Sequence, residues 1–342
     1  MSDDRMVAPG PFEEDRQFDL SLRPQSLTDF IGQTKLKEIL SIAIEAATQR
    51  GEALDHVLLY GPPGLGKTTL AAIIAQELGA AIDYTSGPVL QKKLDLTGAL
   101  TAMRDRQVFF IDEIHRLLPD VEEMLYSALE DFRVDVLIGS GPGARTHSIP
   151  LPGFTAIGAT TRAGLISAPL RGRFGLTLRL NPYEIADLQR IVFRSAGLLE
   201  VEIDDAGSAE IARRSRGTPR IANRLLRRVR DYSQVRGDGR IDIAVARTAL
   251  DLLEVDPHGL DEVDRKLMST ILGKYGGGPV GLNTIAASVG EDATTIEEVY
   301  EPYLMQLGFL DRTPRGRVGT MLAFEHFKIR PPRGGGQFDL NY

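Results

Sequence analysis

The segment that decides the fold is GPPGLGKTTL, which runs from Gly61 to Leu70. It follows the short apolar run HVLLY, residues 56–60, and leads into an apolar helical pattern. The spacing G-x-x-x-x-G-K-[ST] is typical of a P-loop, in which backbone N–H groups bind phosphate oxygens. Glycines permit the unusual backbone angles and the close approach that such a loop needs. The segment therefore predicts a phosphate-binding loop between a strand and a helix.

Each fixed position of this loop has an expected partner on a nucleotide. The N–H groups at Gly64 and Gly66 would face the phosphates, together with the positive N-terminus of the following helix. Lys67 would reach the β- and γ-phosphates, and the Thr68 hydroxyl would bind Mg²⁺. Thr69, the next residue, is expected among the nucleotide-binding residues. A plain Gly/Pro turn is the alternative, but it does not explain the match at all four fixed positions.

Length and composition exclude several classes of protein. With 342 residues the chain is too long for one compact core, and 42% hydrophobic and 25% charged residues are ordinary for a globular protein. No apolar run approaches the roughly 20 residues that cross a membrane. Cysteine is absent, which excludes disulfides, thiolate metal sites and a cysteine nucleophile. The net charge of −7 means that a nucleic acid would have to bind at a local basic patch.

The pattern along the chain predicts three domains. Short β-rich runs alternate with helical patterns within residues 21–182, which indicates an α/β domain with a parallel sheet flanked by helices. Residues 183–255 have helical patterns alone, and residues 256–330 have helices followed by two short strands around a Pro/Gly turn. The acidic segment 1–20 is expected to be a flexible leader without a signal peptide, and 331–342 a disordered tail.

A second segment completes the expected nucleotide site. VFFIDE, residues 108–113, is an apolar strand pattern that ends in two carboxylates. Ligands gather at the carboxyl ends of parallel strands, so Asp112 and Glu113 are expected beside the phosphates. Asp112 would hold Mg²⁺, and Glu113 would polarise the attacking water. A solvated turn is the alternative for this pair, and His115 is assigned to local structure.

GPPGLGKT together with FFIDEIHR resembles the AAA+ class of P-loop ATPases. The resemblance implies a polar sensor residue at a strand end, and Thr160 in FTAIGATTR matches that position. It implies a second sensor, an arginine at the start of a lid helix, where GTPRIANRLL supplies Arg220 after Pro219. It also implies an arginine finger that reaches the γ-phosphate of a neighbouring subunit. LRGRFG offers Arg171 and Arg173, of which Arg173 is the better match, although a surface salt bridge is the alternative for each arginine alone.

Further segments extend the resemblance, over about residues 20–330, to the RuvB family of bacterial Holliday-junction branch-migration motors. These segments are LRPQSLTDFIGQ (22–33), EDFRVDVLIGSGP (130–142), LPGFTAIGATTRAGLISAPLRGRFG (151–175) and GTPRIANRLLRRVRD (217–231). The resemblance implies an ATP-driven hexameric ring in the bacterial cytoplasm that moves duplex DNA together with RuvA and, in a larger complex, with the resolvase RuvC. It also implies an adenine pocket formed by Leu22, Arg23, Pro24, Ile31 and Tyr183. The segment GPVLQKKLDLTGAL (87–100) departs from the family pattern, which often has a Gly-Asp pair there.

The segment 130–149 predicts a β-hairpin, because apolar and polar residues alternate on both sides of GSGPGA. In the RuvB family a hairpin at this place docks on RuvA. The resemblance therefore assigns the partner contact to Val136, Leu137 and Ile138. An ordinary core hairpin is the alternative.

The C-terminal domain, residues 256–330, resembles a winged helix. Its helical pattern over 294–307 carries three glutamates, which would repel phosphate, and its apolar residues recur at the spacing of a core face. The positive charge lies in the expected wing, at Arg312, Arg315 and Arg317. Contacts from these arginines to phosphates would give affinity for DNA without a choice of sequence.

Three other kinds of protein remain as alternatives. A clamp-loader-type switch would be expected to carry a helical collar in place of the wing. A ring that unfolds proteins would need an aromatic-Val-Gly pore loop, which the sequence lacks. A winged-helix regulator that uses ATP only as a switch is disfavoured by the acidic helix. The DNA motor is therefore the preferred hypothesis.

Overall fold

The structure is a computed structural model that describes residues 21–138 and 145–331. The expected leader (1–20), the centre of the expected hairpin (139–144) and the tail beyond residue 331 lie outside the described residues. The described chain forms two compact units. The first unit contains residues 21–199 and 217–223, and the second contains residues 200–216 and 224–331.

The first unit is built on seven strands within its described residues. They are β1 (Val57–Tyr60), β2 (Ile82–Ser86), β3 (Val108–Asp112), β4 (Arg133–Ile138), β5 (Arg145–Pro150), β6 (Thr155–Thr160) and β7 (Leu176–Arg179). Five of them form one sheet in the order β2–β3–β6–β1–β7, and every neighbouring pair is parallel. All six residues of β6 are buried, as expected for the centre of a parallel sheet covered on both faces. The predicted parallel sheet is confirmed.

The helices of this unit bury apolar positions that are mostly spaced three or four residues apart. They are α1 (Thr34–Arg50), α2 (Lys67–Glu77), α3 (Lys93–Thr101), α4 (Pro119–Glu130), α5 (Ala168–Arg171) and α6 (Ile185–Leu198). In α4, proline occupies the first helical position, where its missing N–H costs no hydrogen bond. Val121, Leu125 and Ala128 of α4 are buried and pack with Phe109 and Phe154 in one hydrophobic cluster. This periodic burial fixes the helix against the sheet.

The predicted hairpin is confirmed in its two strands. β4 and β5 pair antiparallel, from Arg133 opposite Pro150 to Ile138 opposite Arg145, and they form a sheet of their own. Val134, at the base, is fully buried in the same cluster as α4. Val136, two residues further on, is only half-buried. Burial is therefore lower at Val136 than at Val134, nearer the base of the strand.

The second unit is mostly helical and ends in a two-stranded wing. Its elements are α7 (Asp205–Arg213), α8 (Pro219–Arg236, whose first turn belongs to the first unit), α9 (Ile243–Leu252), α10 (Glu262–Ser269), α11 (Leu282–Val289), α12 (Ala293–Thr295), α13 (Glu301–Gln306), β8 (Leu310–Thr313), β9 (Gly316–Gly319) and α14 (Met321–His326). β8 and β9 pair antiparallel around a two-residue turn. No helix in the described part of the chain is long and apolar enough to span a membrane.

The helical pattern over 294–307 contains a change of winding. Between α12 and α13 the residues Ile296–Tyr300 form a π-helical turn. Pro302 follows two residues after this turn, and because it lacks an N–H it cannot make the usual helical hydrogen bond. Ile296, Tyr300 and Leu304 are nevertheless buried in the domain core, as the apolar spacing predicts. The π-helical turn therefore leaves the buried apolar face of this segment intact.

Candidate nucleotide site and DNA contact

The loop between β1 and α2 has a shape that only glycine allows at two positions. Gly61 and Gly64 have φ angles of 146° and 79°. A Cβ atom on Gly61 would lie 2.3 Å from the Leu180 carbonyl oxygen, and one on Gly64 would lie 2.6 Å from Thr218 Cγ2. Both distances are far below van der Waals contact. The loop therefore has the tight, glycine-dependent backbone that phosphate binding requires.

Lys67 is the first residue of α2 and is buried. Its Nζ donates to the carbonyl oxygens of Gly61, at 2.7 Å, and Pro62, at 2.8 Å. The pKa of Lys67 is lowered to about 8, chiefly by burial; the negative charge of Asp112 opposes this shift, and the positive charge of Arg220 contributes to it. The lysine is thus held against the loop by two carbonyl oxygens, and the charges of Asp112 and Arg220 act on it. Thr68 and Thr69 follow it in the first turn of α2 and are half-buried.

Asp112 and Glu113 emerge at the carboxyl end of β3, as predicted. The Glu113 N–H donates to Asp112 Oδ1 at 2.9 Å, and Glu113 has a left-handed φ of 47°. Its carboxylate accepts a hydrogen bond of 2.8 Å from Arg116. A Cβ on Gly87 would lie 2.5 Å from the Glu113 carbonyl oxygen, so the start of segment 87–100 packs directly against this turn. The unusual backbone at Glu113 is therefore held by a close neighbour.

The oxygen chemistry of these residues fits Mg²⁺. Thr68 offers a hydroxyl and Asp112 a carboxylate, which are ligands of the type that Mg²⁺ takes alongside water and phosphate oxygens. Among the described residues, no group of three or more His, Cys, Asp or Glu side chains could hold a metal by itself.

Thr160 ends β6, beside Tyr60 at the end of β1. It is 1% exposed, and its Oγ1 accepts a hydrogen bond of 2.9 Å from the Arg162 N–H. The same oxygen lies 2.9 Å from Nδ1 of His115. Sequence reasoning put Thr160 at a strand end, where it lies, but missed this histidine contact. The signal was its position two residues after Glu113, at the same edge of the sheet.

Arg220 and Tyr183 both reach the P-loop. Arg220 is the second residue of α8, after Pro219, and its N–H points at the Gly64 carbonyl oxygen at 3.4 Å. The Tyr183 hydroxyl lies 3.4 Å from the Leu65 carbonyl oxygen. Burial raises the pKa of Tyr183, so this hydroxyl stays protonated at neutral pH. The start of α8 and the segment before α6 therefore meet the loop.

The expected adenine residues lie in the first unit with Tyr183. Leu22 is buried, and Arg23, Pro24 and Ile31 are half-buried. A Cβ on Gly32 would lie 2.8 Å from the Tyr183 ring, so the segment 22–33 packs against that tyrosine. Phe30, which sequence reasoning did not select, is buried and lies next to Gly66.

Arg173 is held by oxygens of its own subunit. Its guanidinium donates to the carbonyl oxygens of Pro169, at 2.7 Å, and Tyr126, at 3.3 Å, and to the Glu130 carboxylate at 2.7 Å. It also lies 4.8 Å from the centre of the Tyr126 ring. These contacts fix the side chain on α4 and α5. Glu130 is a further residue that sequence reasoning missed.

The three wing arginines have different environments. Arg315 is exposed in the turn between β8 and β9. Arg312 is 53% exposed and pairs with Glu297 at 2.6 Å. Arg317 is buried, and its guanidinium donates to both oxygens of the buried Glu301, at 2.6 and 3.1 Å. This burial corrects the expectation that all three arginines face DNA, because Arg317 is already neutralised inside the domain.

Comparisons with known proteins agree with this arrangement. Three family models match in succession: the Holliday junction DNA helicase RuvB P-loop domain at residues 22–180, the RuvB AAA lid domain at 183–256 and the RuvB C-terminal winged helix domain at 257–328. A Holliday junction branch migration complex subunit RuvB from Solibacter usitatus is 72% identical over 330 residues, which cover 96% of each chain. Its counterpart from Koribacter versatilis is 66% identical and is matched over 92% of its length and 96% of this chain.

A solved structure supports the same assignment. The Thermotoga maritima RuvB Holliday junction branch migration motor superposes with a TM-score of 0.83 at 54% identity, over 91% of this chain and 100% of that chain. The P-loop domain, the lid domain and the winged helix domain all lie within regions that match this family. This chain belongs to the RuvB family.

Proposed function

We propose that this protein is the ATP-driven motor of Holliday-junction branch migration. The observation that carries the proposal is the convergence on the P-loop of Lys67, which donates to the Gly61 carbonyl oxygen, and Arg220, whose N–H points at the Gly64 carbonyl oxygen, with the charge of Asp112 also acting on Lys67. Glu113 and Thr160 stand at the ends of neighbouring strands of the same sheet. Such a set serves phosphoryl transfer, where catalysis depends on positioning and on positive charge around the phosphates.

The roles follow from the chemistry of each group. Lys67 and Arg220 stabilise the negative charge of the β- and γ-phosphates, and Glu113 orients and polarises the attacking water. Mg²⁺, held by Thr68 and Asp112, neutralises charge on the phosphate oxygens. Leu22, Arg23, Pro24, Ile31 and Tyr183 enclose the adenine. When ATP binds, Lys67 exchanges its contacts with the Gly61 and Pro62 carbonyl oxygens for phosphate oxygens.

The partners follow from the family and from two surfaces. Arg315, with Arg312, contacts DNA phosphates without reading bases, which suits a protein that moves along any duplex. The hairpin 130–149, through Val136, Leu137 and Ile138, docks on RuvA. Arg173 acts on the γ-phosphate of the next subunit in a hexameric ring, and RuvC joins a larger complex. The protein works in the bacterial cytoplasm.

The test is ATP hydrolysis and branch migration with each component added in turn. We expect basal hydrolysis by the protein alone, stimulation by four-way junction DNA with RuvA, and movement of the branch point only when ATP is present. Lys67→Ala should abolish both activities and leave the melting temperature of the protein close to that of the wild type. Hydrolysis that responds to a protein substrate but not to junction DNA would instead support an unfolding ring.

A further inference from the structure

His115 contacts the proposed sensor residue, although no motif gives it a role. It lies in the 3₁₀ turn Ile114–Arg116, which directly follows Glu113. Its ring is half-buried, and Nδ1 lies 2.9 Å from the Thr160 hydroxyl oxygen. Forty-five positions separate the two residues in sequence, so the contact exists only because β3 and β6 are neighbours in the sheet. His115 therefore links the turn that follows Glu113 to the proposed sensor residue Thr160.

The hydrogen bonds of the Thr160 hydroxyl are limited in number. A hydroxyl has one proton to donate and two lone pairs to accept with. The Arg162 N–H already occupies one lone pair at 2.9 Å. If His115 Nδ1 accepts, the only proton of Thr160 goes to the ring. If Nδ1 instead donates, both lone pairs are filled and the proton remains for a third partner.

During hydrolysis, the third partner of the Thr160 hydroxyl would be an oxygen of the γ-phosphoryl group, which needs a hydrogen-bond donor. Oxygens of a γ-phosphoryl group accept hydrogen bonds but cannot donate them, so Thr160 can bind one only through its own proton. Burial lowers the pKa of His115, the nearby carboxylates of Glu113 and Asp112 oppose this shift, and the guanidinium groups of Arg162 and Arg116 add to it. The ring is therefore neutral at neutral pH and carries one proton, which can reside on Nδ1.

We infer that His115 is a positioning residue for ATP hydrolysis: it donates Nδ1–H to Thr160, so that the Thr160 hydroxyl can only donate to the γ-phosphoryl group or the attacking water. The inference rests on the proposed ATPase function and adds a residue to its site. Thr160 then acts as a fixed donor, since its two other directions are occupied by the ring and by the Arg162 N–H.

The test uses two substitutions of nearly equal shape. His115→Asn keeps an N–H group close to the position of Nδ1, whereas His115→Leu removes it. We expect His115→Leu to lower kcat by about tenfold, the upper range for one lost hydrogen bond. KM for ATP and the Kd for a fluorescent ATP analogue should stay within about twofold of the wild type, because the lost contact acts after binding. His115→Asn should restore most of kcat.

A double-mutant cycle with Thr160→Val shows whether the effect passes through Thr160. Thr160→Val alone should lower kcat, and His115→Leu should add no further loss in that background. Equal losses in the Asn and Leu variants, an additive loss in the Val background, or a wild-type kcat for Thr160→Val would each overturn the inference. Melting temperatures identify a variant that has merely lost stability. Wild-type hydrolysis and branch migration, measured in parallel, test the proposed function separately.

Discussion

At the scale of single residues, Glu113 offers the most direct test of the nucleotide site. Glu113→Gln should bind ATP normally but hydrolyse it slowly, because an amide cannot accept a proton from the attacking water. Nucleotide binding and steady-state hydrolysis measure the two properties. Arg116→Ala is the matched control, since it removes the partner of the Glu113 carboxylate and leaves the base intact. Near-normal turnover of Glu113→Gln would remove it from the site.

The sequence predicts residues of the site well where backbone geometry decides their place. Asp112 and Thr160 had to lie together, because the carboxyl ends of parallel strands meet at one edge of a sheet. The pairs His115–Thr160 and Arg317–Glu301 could not be predicted in this way. They join residues 45 and 16 positions apart, and depend on which side chains face each other after packing. Spacing alone cannot show that an arginine in a wing is buried.

At the scale of elements, two positions on strand β4 of the hairpin can be tested separately. Leu137→Asp should leave basal ATP hydrolysis unchanged and weaken its stimulation by RuvA, because position 137 lies towards the far end of β4, away from the buried base. Hydrolysis with and without RuvA, together with thermal melting, measures this.

The matched control on the same strand is Val134→Asp. Val134 is fully buried. An unpaired carboxylate at this position would lower the free energy of unfolding by several kcal/mol, because the charge would be removed from water. That variant should melt at a much lower temperature. A similar loss of stability in Leu137→Asp would show that the whole hairpin is core, and would remove it as the contact for RuvA.

The wing gives a second prediction at this scale. Arg315→Ala should weaken DNA binding by a similar factor on every duplex, and the slope of log affinity against log salt should shrink by about one unit, as for one lost phosphate contact. Basal hydrolysis should not change. Titrations on two unrelated duplexes at several salt concentrations measure both effects, and a loss confined to one sequence would indicate base recognition instead.

Arg317→Ala provides the contrast within the same wing. It would leave the buried Glu301 carboxylate without its bidentate partner, which typically costs about 3–5 kcal/mol. This variant should therefore lower the melting temperature of the domain. An Arg317→Ala protein that is stable but binds DNA poorly would return Arg317 to the DNA contact.

At the scale of the whole molecule, the arginine finger can be tested by mixing subunits. Arg173→Ala and Lys67→Ala should each be inactive alone. A mixed ring should recover part of the hydrolysis, because an interface can combine the intact P-loop of one chain with the intact finger of the other. Hydrolysis across a range of mixing ratios measures this recovery.

Arg171→Ala is the control for the mixing test, since it changes the other arginine of LRGRFG. It should keep hydrolysis closer to the wild type. If mixed rings form, as shown by co-purification of tagged and untagged chains, but no ratio restores activity, then Arg173 does not act on a neighbour.

The oxygens around Arg173 also affect when the side chain can act on the nucleotide of a neighbouring subunit. A subunit on its own gives this guanidinium two carbonyl oxygens and a carboxylate, so the side chain is ordered before any neighbour arrives. Phosphate oxygens of an adjacent nucleotide would compete for the same donors. The exchange replaces one set of oxygen acceptors by another and needs a side-chain rotation rather than refolding. Under the proposed role, Arg173 therefore alternates between two sets of contacts. One set is with oxygens of its own subunit, and the other is with the phosphates of ATP bound to a neighbour.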